Sequence, residues 1–232
     1  MSLRIFIKMP DVASKLKGLR PKFPRKIPVP LQVEPRSDRF PLVGMGFDYL
    51  LRMELQRRAP HAVSDRWTAE SAPGLIWQRN DKGARWMPLS KDQNGRVYMA
   101  DILGNEDDAR EVAERAREVV DKAKAALAAY TKNTSPMPGE QADLAAHAIR
   151  LAKLDPLCRA RVFDATFDEA AQEDVEDLVA MLAIVPFERL LHETVLLLNP
   201  TFGEASQAVR GADTDLIAGD MLIDFKTTTK TA

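Results

Sequence analysis

The 232-residue, 25.9 kDa chain is 45% hydrophobic and 29% charged, a balance that suits a globular domain large enough to bury a core and excludes collagenous or low-complexity classes. No apolar run approaches bilayer length, residues 1–10 lack the apolar stretch and cleavage site of a secretory signal, and the lone Cys158 excludes an internal disulfide, so a reducing, cytoplasmic setting is expected with no membrane partner. The net charge of −1 conceals an asymmetry: residues 1–40 carry ten Lys/Arg against Asp11, Glu34 and Asp38, a net +7 that leaves −8 on the remaining 192 residues.

A basic arm on an acidic body can anchor phosphates through counterion release, or it can be a solvated leader. Prolines 10, 21, 24, 28, 30, 35 and 41 fix φ and remove donors, so residues 10–41 are expected to be extended rather than helical. Helical periodicity begins near Gly46, with Phe47, Leu50, Leu51 and Glu54 on one face, and Pro60 ends that helix at about 59. Residues 61–104 are mixed, with short strands expected near 75–79, 84–88 and 96–100. The Asn94-Gly95 turn signal could close a small hairpin there. Trp67, Trp77 and Trp86 read chiefly as packing residues, with base stacking as the other use of such rings.

The strongest single element is a helix over 106–130. Asn105 suits its N-cap and Glu106, Asp107 and Asp108 suit its first turn. Its stripe of Ala109, Val112, Ala113, Ala116, Val119, Val120, Ala123, Ala126, Leu127 and Tyr130 implies close approach to a neighbouring helix. Further helices are expected at about 139–154 and 168–184, with a short turn from Pro186 to about 192. His61, His147 and His192 show no ligand spacing, and His192 fits a helix-end cap. The domain reading is therefore a basic Pro-rich arm (1–43), a mainly helical scaffold (44–192) and a β-hairpin segment (193–232) that forms one globular domain with the scaffold.

The texture changes after Asn199-Pro200. Asp213-Thr214-Asp215-Leu216-Ile217-Ala218, Gly219-Asp220 and Met221-Leu222-Ile223-Asp224-Phe225-Lys226-Thr227-Thr228 read as strand, tight turn and strand. With Gly219-Asp220 as the turn, Ile217 faces Leu222, Asp215 faces Asp224 and Asp213 faces Lys226. Alternation then sets Asp213, Asp215, Leu222, Asp224 and Lys226 on one side of the ribbon, and Leu216, Ile223 and Phe225 on an apolar core side. Two carboxylates directly across a strand pair repel one another. A divalent cation removes that penalty, and hard oxygen ligands suit Mg²⁺, with Mn²⁺ as a substitute. A lysine two residues further on can polarise or orient a water. The bland alternative is a polar edge with an Asp213–Lys226 ion pair.

The segments Gly211-Ala212-Asp213-Thr214-Asp215-Leu216-Ile217 and Leu222-Ile223-Asp224-Phe225-Lys226-Thr227-Thr228 resemble motifs II and III of the PD-(D/E)xK nuclease superfamily, most closely its RecB-like branch. The resemblance spans about twenty residues and extends more loosely to Asn199-Pro200-Thr201-Phe202. It implies a restriction-endonuclease-like mixed sheet flanked by helices, Mg²⁺ dependence and phosphodiester hydrolysis. Asp215 corresponds to the acid of the first strand, and Asp224 and Lys226 to the (D/E)xK element. Asp215 and Asp224 are thus the expected metal ligands and Lys226 the third catalytic residue, with Glu54, Asp213 or Glu204 as a further acid. Glu54 could equally pair with Arg57 or Arg58. In the family a helix and strand follow the lysine, and in the RecB-like branch that helix carries a Q-xxx-Y motif. Here six residues follow it, so the core is expected to be incomplete at its C-terminus unless the N-terminal segment or another subunit completes the sheet. The expected fold class is α+β, a helical scaffold with a small mixed sheet. The expected function is a metal-dependent nuclease acting on DNA. The alternatives are a catalytically inactive nuclease-fold protein that binds nucleic acid or serves assembly, and a helical interaction module whose hairpin mediates dimerisation.

Overall fold

The computed structural model describes residues 9–19, 32–64, 66–80, 83–85, 88–92, 95–98, 106–160, 162–193, 195–200, 204 and 214–223. Among these the fold is α+β and mostly helical. Two compact units are present: Val33–Pro60 with Arg66–Val185, and Met1–Gln32 with His61–Asp65 and Pro186–Ala232.

The first unit is built on α2 (Phe40–Arg58), which packs against α5 (Pro138–Ala160) and α6 (Gln172–Ala183), while α5 also packs against α4 (Glu106–Tyr130). The 3-10 turn Thr68–Ser71 and the short α3 (Ala72–Ile76) lie between α2 and α4 in the chain. Helix α2 starts six residues earlier than the periodicity suggests, because Pro41 lies in its first turn, where a missing N–H is harmless. It is buried all round rather than along a stripe: Leu50, Leu51, Met53 and Leu55 are fully enclosed. Each such side chain contributes about 1.5–3 kcal/mol of burial. A helix without a wet face also buries its polar residues, and Arg52 and Glu54 are enclosed with it. Gly46 marks where three helices meet, since a Cβ there would lie 2.8 Å from Ile149 Cδ1 and 3.1 Å from Leu178 Cδ2.

Helix α4 has the expected bounds, and its Ala109, Ala113, Ala116 and Ala123 are buried, as close packing of small residues requires. Helix α5 runs on through Pro156 to Ala160, further than expected. Helix α6 begins at Gln172 rather than 168, because Asp168 and its neighbours form the preceding turn, which Arg115 and Arg150 hold by bonds to the Asp168 carboxylate and carbonyl. In place of the strand expected near 75–79 the chain forms α3 and then β2 (Gln78–Asn80), paired antiparallel with β3 (Gly83–Arg85). A second antiparallel pair joins β4 (Pro88–Asp92) to β5 (Gly95–Tyr98), so the partner of the expected 96–100 strand is residues 88–92 rather than 84–88, and Gly95 lies in β5. Trp67 is core, set edge-on to Tyr49 with ring centroids 6.2 Å apart. Trp86 and Asn105 lie outside the described residues.

In the second unit α1 (Pro10–Leu19) corrects the expectation of an extended arm. Pro10 opens it, Asp11 lies in its first turn, and no proline interrupts before Pro21. After the short α7 (Phe187–Leu191) come β6 (Leu196–Leu198), β7 (Leu216–Ala218) and β8 (Met221–Ile223). Together with β1 (Val63–Ser64) these make a mixed sheet in the order β1-β6-β7-β8, with β1 parallel to β6 and the other pairs antiparallel.

Candidate metal centre at the C-terminal hairpin

The β7–β8 ladder pairs Ala218 with Met221, Ile217 with Leu222 and Leu216 with Ile223, the register read from the sequence. Gly219 has φ +59° and Asp220 is not among the positive-φ residues, the type II′ pattern that matches strand twist. The turn is tied further to β6, since the Gly219 N–H donates to the Val195 carbonyl at 2.9 Å. A Cβ on Gly219 would collide with the Glu193 carboxylate.

One side of the sheet is closed: Leu196, Leu198, Leu216 and Ala218 are each no more than 1% exposed. The other side carries the row Val63, Leu197, Ile217 and Leu222, joined pair by pair across all four strands. The ends of that row are open, Val63 at 60% and Leu222 at 61% exposure. Asp215 is half-buried and lies two positions from Ile217, so alternation directs it to this open side. Its carbonyl accepts the Asn199 N–H at 2.9 Å, which ties Asp215 to the end of β6.

Two residues that the motif reading left in the background support this position. Asn199 is buried with φ +53°, a left-handed conformation that asparagine tolerates better than most residues. The Asn-Pro pair was its only signal in the sequence. Thr214 is also buried, and its hydroxyl donates to the Ile223 carbonyl at 3.0 Å, tying the start of β7 to β8. Nothing in the sequence distinguished that threonine from its neighbours.

The other expected site residues are distributed as follows. Asp213, Asp224 and Lys226 lie outside the described residues, as does the expected Asp215–Asp224 pairing. Glu204 is exposed. Glu54 belongs to the helical unit, and the pairing with Arg57 and Arg58 is the arrangement observed. Arg57 donates to it through Nη2 at 2.5 Å and Nε at 3.1 Å, Arg58 through Nε at 2.5 Å and Tyr130 through its hydroxyl at 2.7 Å. Burial pushes the Glu54 carboxyl up, but the Arg57, Tyr130 and Arg58 hydrogen bonds outweigh it and hold the group below the ordinary range. Tyr130, buried against that carboxylate, is pushed up to about 12.

Among the described residues no group of three or more His, Cys, Asp or Glu is arranged to hold a metal ion, and no helix is long and apolar enough to cross a membrane. His61 is exposed and His192 is the C-cap of α7. No protein-family model, curated protein or solved structure matches the chain.

Proposed function

We propose that this chain is a metal-dependent nuclease that hydrolyses phosphodiester bonds in DNA, with Asp215 and Asp224 holding Mg²⁺ or Mn²⁺ and Lys226 serving the attacking water. The observation that carries this reading is the β7–β8 register together with the place of Asp215 on the open side of the sheet. Continued by one further step, that ladder would pair Asp215 with Asp224. Counted from the closing pair of a two-residue hairpin, that step would be a non-hydrogen-bonded pair, the kind whose Cα atoms lie about 4.5 Å apart and whose side chains are closest. The donor set fits the ion: two carboxylates give hard oxygen ligands, and the partial openness of this side leaves room for water and phosphate oxygens.

When bound, the ion supplies Lewis acidity and a lowered pKa for a coordinated water. The chain's own residues do the rest. Asp215 and Asp224 would bring negative charge to one point of the sheet and hold the ion there. Lys226, two residues past Asp224, would bring a fixed positive charge toward the phosphate and offset the charge that develops there. The basic N-terminal residues add sequence-independent attraction for the DNA backbone.

The test is Mg²⁺-dependent cleavage of duplex and single-stranded DNA by purified protein, alongside Asp224→Asn and Lys226→Ala. Each variant is expected to lose at least about 100-fold in rate, the scale of a missing charge stabiliser at the reacting group. Unchanged cleavage in Asp224→Asn would refute the assignment. Salt-sensitive DNA retention without cleavage under Mg²⁺ or Mn²⁺ would identify a binding module instead.

A further inference from the structure

Residues 33–39, an irregular segment that leads into α2, are fastened to the first two turns of α6 by three acids. Asp177 accepts the Arg36 N–H at 2.9 Å and the Ser37 N–H at 3.0 Å. Asp174 accepts the Ser37 hydroxyl at 2.6 Å, and Arg39 Nη2 lies 2.8 Å from its other oxygen without the alignment of a hydrogen bond. Arg36 pairs with Glu176 nearer the surface. The Ser37 oxygen also accepts the Arg39 N–H at 3.0 Å, so this one hydroxyl ties the segment both to α6 and to itself.

The attachment of this strap is polar. Ser37 is its only buried residue, while Val33 and Pro35 are half-buried and the other four are exposed. Asp174 and Asp177, by contrast, are enclosed at 0% and 4% exposure, and among the described residues their carboxylates have no partner outside the strap. Lifting the strap exchanges those bonds for bonds to water and exposes little apolar surface, so it opens locally, far short of global unfolding. What the closed form requires is a donor at Ser37. Two enclosed carboxylates accept protons from the strap and would be repelled by a negative charge there.

We propose that Ser37 is a phosphoacceptor and that its modification releases this strap from α6. The co-reactants are a serine/threonine protein kinase and its nucleoside triphosphate, met by the strap in its open form. The step forms the bond from Ser37 Oγ to the γ-phosphorus and breaks the bond from that phosphorus to the β–γ bridging oxygen. The nucleoside diphosphate departs, and the hydroxyl proton passes to the base of the kinase. A phosphoserine brings a charge of about −1.5 to −2 and offers acceptor oxygens where the closed form needs a donor. Arg36 and Arg39 flank it, and their guanidiniums would turn from Glu176 and Asp174 to the phosphate, which removes the remaining ties. Once free, each residue of the strap adds up to about 3.3 Å to the covalent link between residues 1–32 and α2. The proposal does not depend on nuclease activity and requires no ion.

The test is amide hydrogen exchange of the full chain, unmodified and with phosphoserine installed at position 37 during synthesis, beside Ser37→Asp and Ser37→Asn. In the unmodified protein the Arg36 and Arg39 amides are expected to exchange at least about tenfold more slowly than unstructured chain. Phosphoserine and Ser37→Asp should each abolish that protection at Arg36. Ser37→Asn, equal in size to the aspartate but uncharged, should keep it, with α4 and α5 amides unchanged in all four proteins. Mass spectrometry of the chain isolated from its own cells, across growth and stress conditions, should find phosphate on Ser37. The proposal is overturned if the strap of the unmodified protein exchanges as unstructured chain, or if it stays protected with phosphoserine in place. It is equally overturned if Ser37→Asn loses as much as Ser37→Asp, which would mean that shape rather than charge holds the strap, or if Ser37 is unmodified in every condition.

Discussion

Glu54→Ala separates a structural carboxylate from a metal ligand. Glu54 is fully enclosed and both its oxygens accept bonds, from Arg57, Arg58 and Tyr130, while Arg57 and Tyr130 are themselves 9% or less exposed. Removing the carboxylate leaves the Arg57 guanidinium without its counter-charge, held among the described residues only by the Asn133 and Thr134 carbonyls, and takes from the Tyr130 phenol one of its two partners, the other being Gln141. Losing one partner of a buried ion pair costs about 3–5 kcal/mol. The Arg58 share is the smaller one, because that side chain is 33% exposed and exposed pairs contribute at most about 1 kcal/mol. Against a domain stability of about 5–15 kcal/mol, the variant should lose about a fifth or more of its resistance to urea. Because the Glu54 carboxyl is held below its ordinary 4.5, the stabilisation is complete above that pH and is lost as pH falls through the lowered value. The assay is urea denaturation of wild type and Glu54→Ala at pH 7 and at pH 3, with and without Mg²⁺. The expected result is a large difference at pH 7, a smaller one at pH 3, and the same Mg²⁺-induced rise in Tm in both proteins. A loss under about 1 kcal/mol together with a vanished Mg²⁺ effect would refute the reasoning and return Glu54 to the ion site.

Three further outcomes are expected. Gly46→Ala forces a methyl against Ile149 and Leu178, so overpacking of about 1–3 kcal/mol should exceed the gain of about 1 kcal/mol in helix propensity, a net loss readable by thermal denaturation. Gly219→Ala places a side chain at φ +59° and should destabilise by about 1–2 kcal/mol, with faster exchange of the β7 and β8 amides and little change in α4 or α5. His147 is held below its ordinary 6.5, first by burial and then by Arg150; stability should therefore be full above pH 6.5 and decline as pH falls toward the lowered value, a slope that His147→Gln should flatten in a series of Tm measurements against pH.

Helix α4 was legible because its signals agree: acids at the first turn and an unbroken three-and-four stripe point to the same bounds. Disagreement appears where proline was read as a breaker in every position. Pro10 and Pro41 lie in first turns, and the α5 helix carries Pro156 within it. Glu54 looked like a stripe-edge acid because periodicity assumes a wet face, and α2 has none. The two-residue β1 could not be read at all. Its pairing with β6 is parallel and more than a hundred residues distant, so no local pattern of Val63-Ser64 encodes it. The hairpin, by contrast, is local, and a glycine turn between two apolar runs specifies both its existence and its register.

The proposed chemistry depends on that register. In a ribbon with period two, a slip of one residue would turn Asp215 to the side that holds Leu216 and Ala218, where a carboxylate would be desolvated without compensation. Three bonds resist the slip: two backbone bonds, from the Gly219 N–H to the Val195 carbonyl and from the Asn199 N–H to the Asp215 carbonyl, and one from the Thr214 hydroxyl to the Ile223 carbonyl. Two of them tie β7 to β6 and one ties it to β8, so moving either neighbour alone breaks bonds without freeing the strand. The same register keeps Leu216 and Ala218 on the closed side, so apolar burial alone specifies the position of Asp215 whatever that acid does. For the proposed ion site the register carries a second consequence, since two carboxylates can share a cation only while both lie on one side of the sheet.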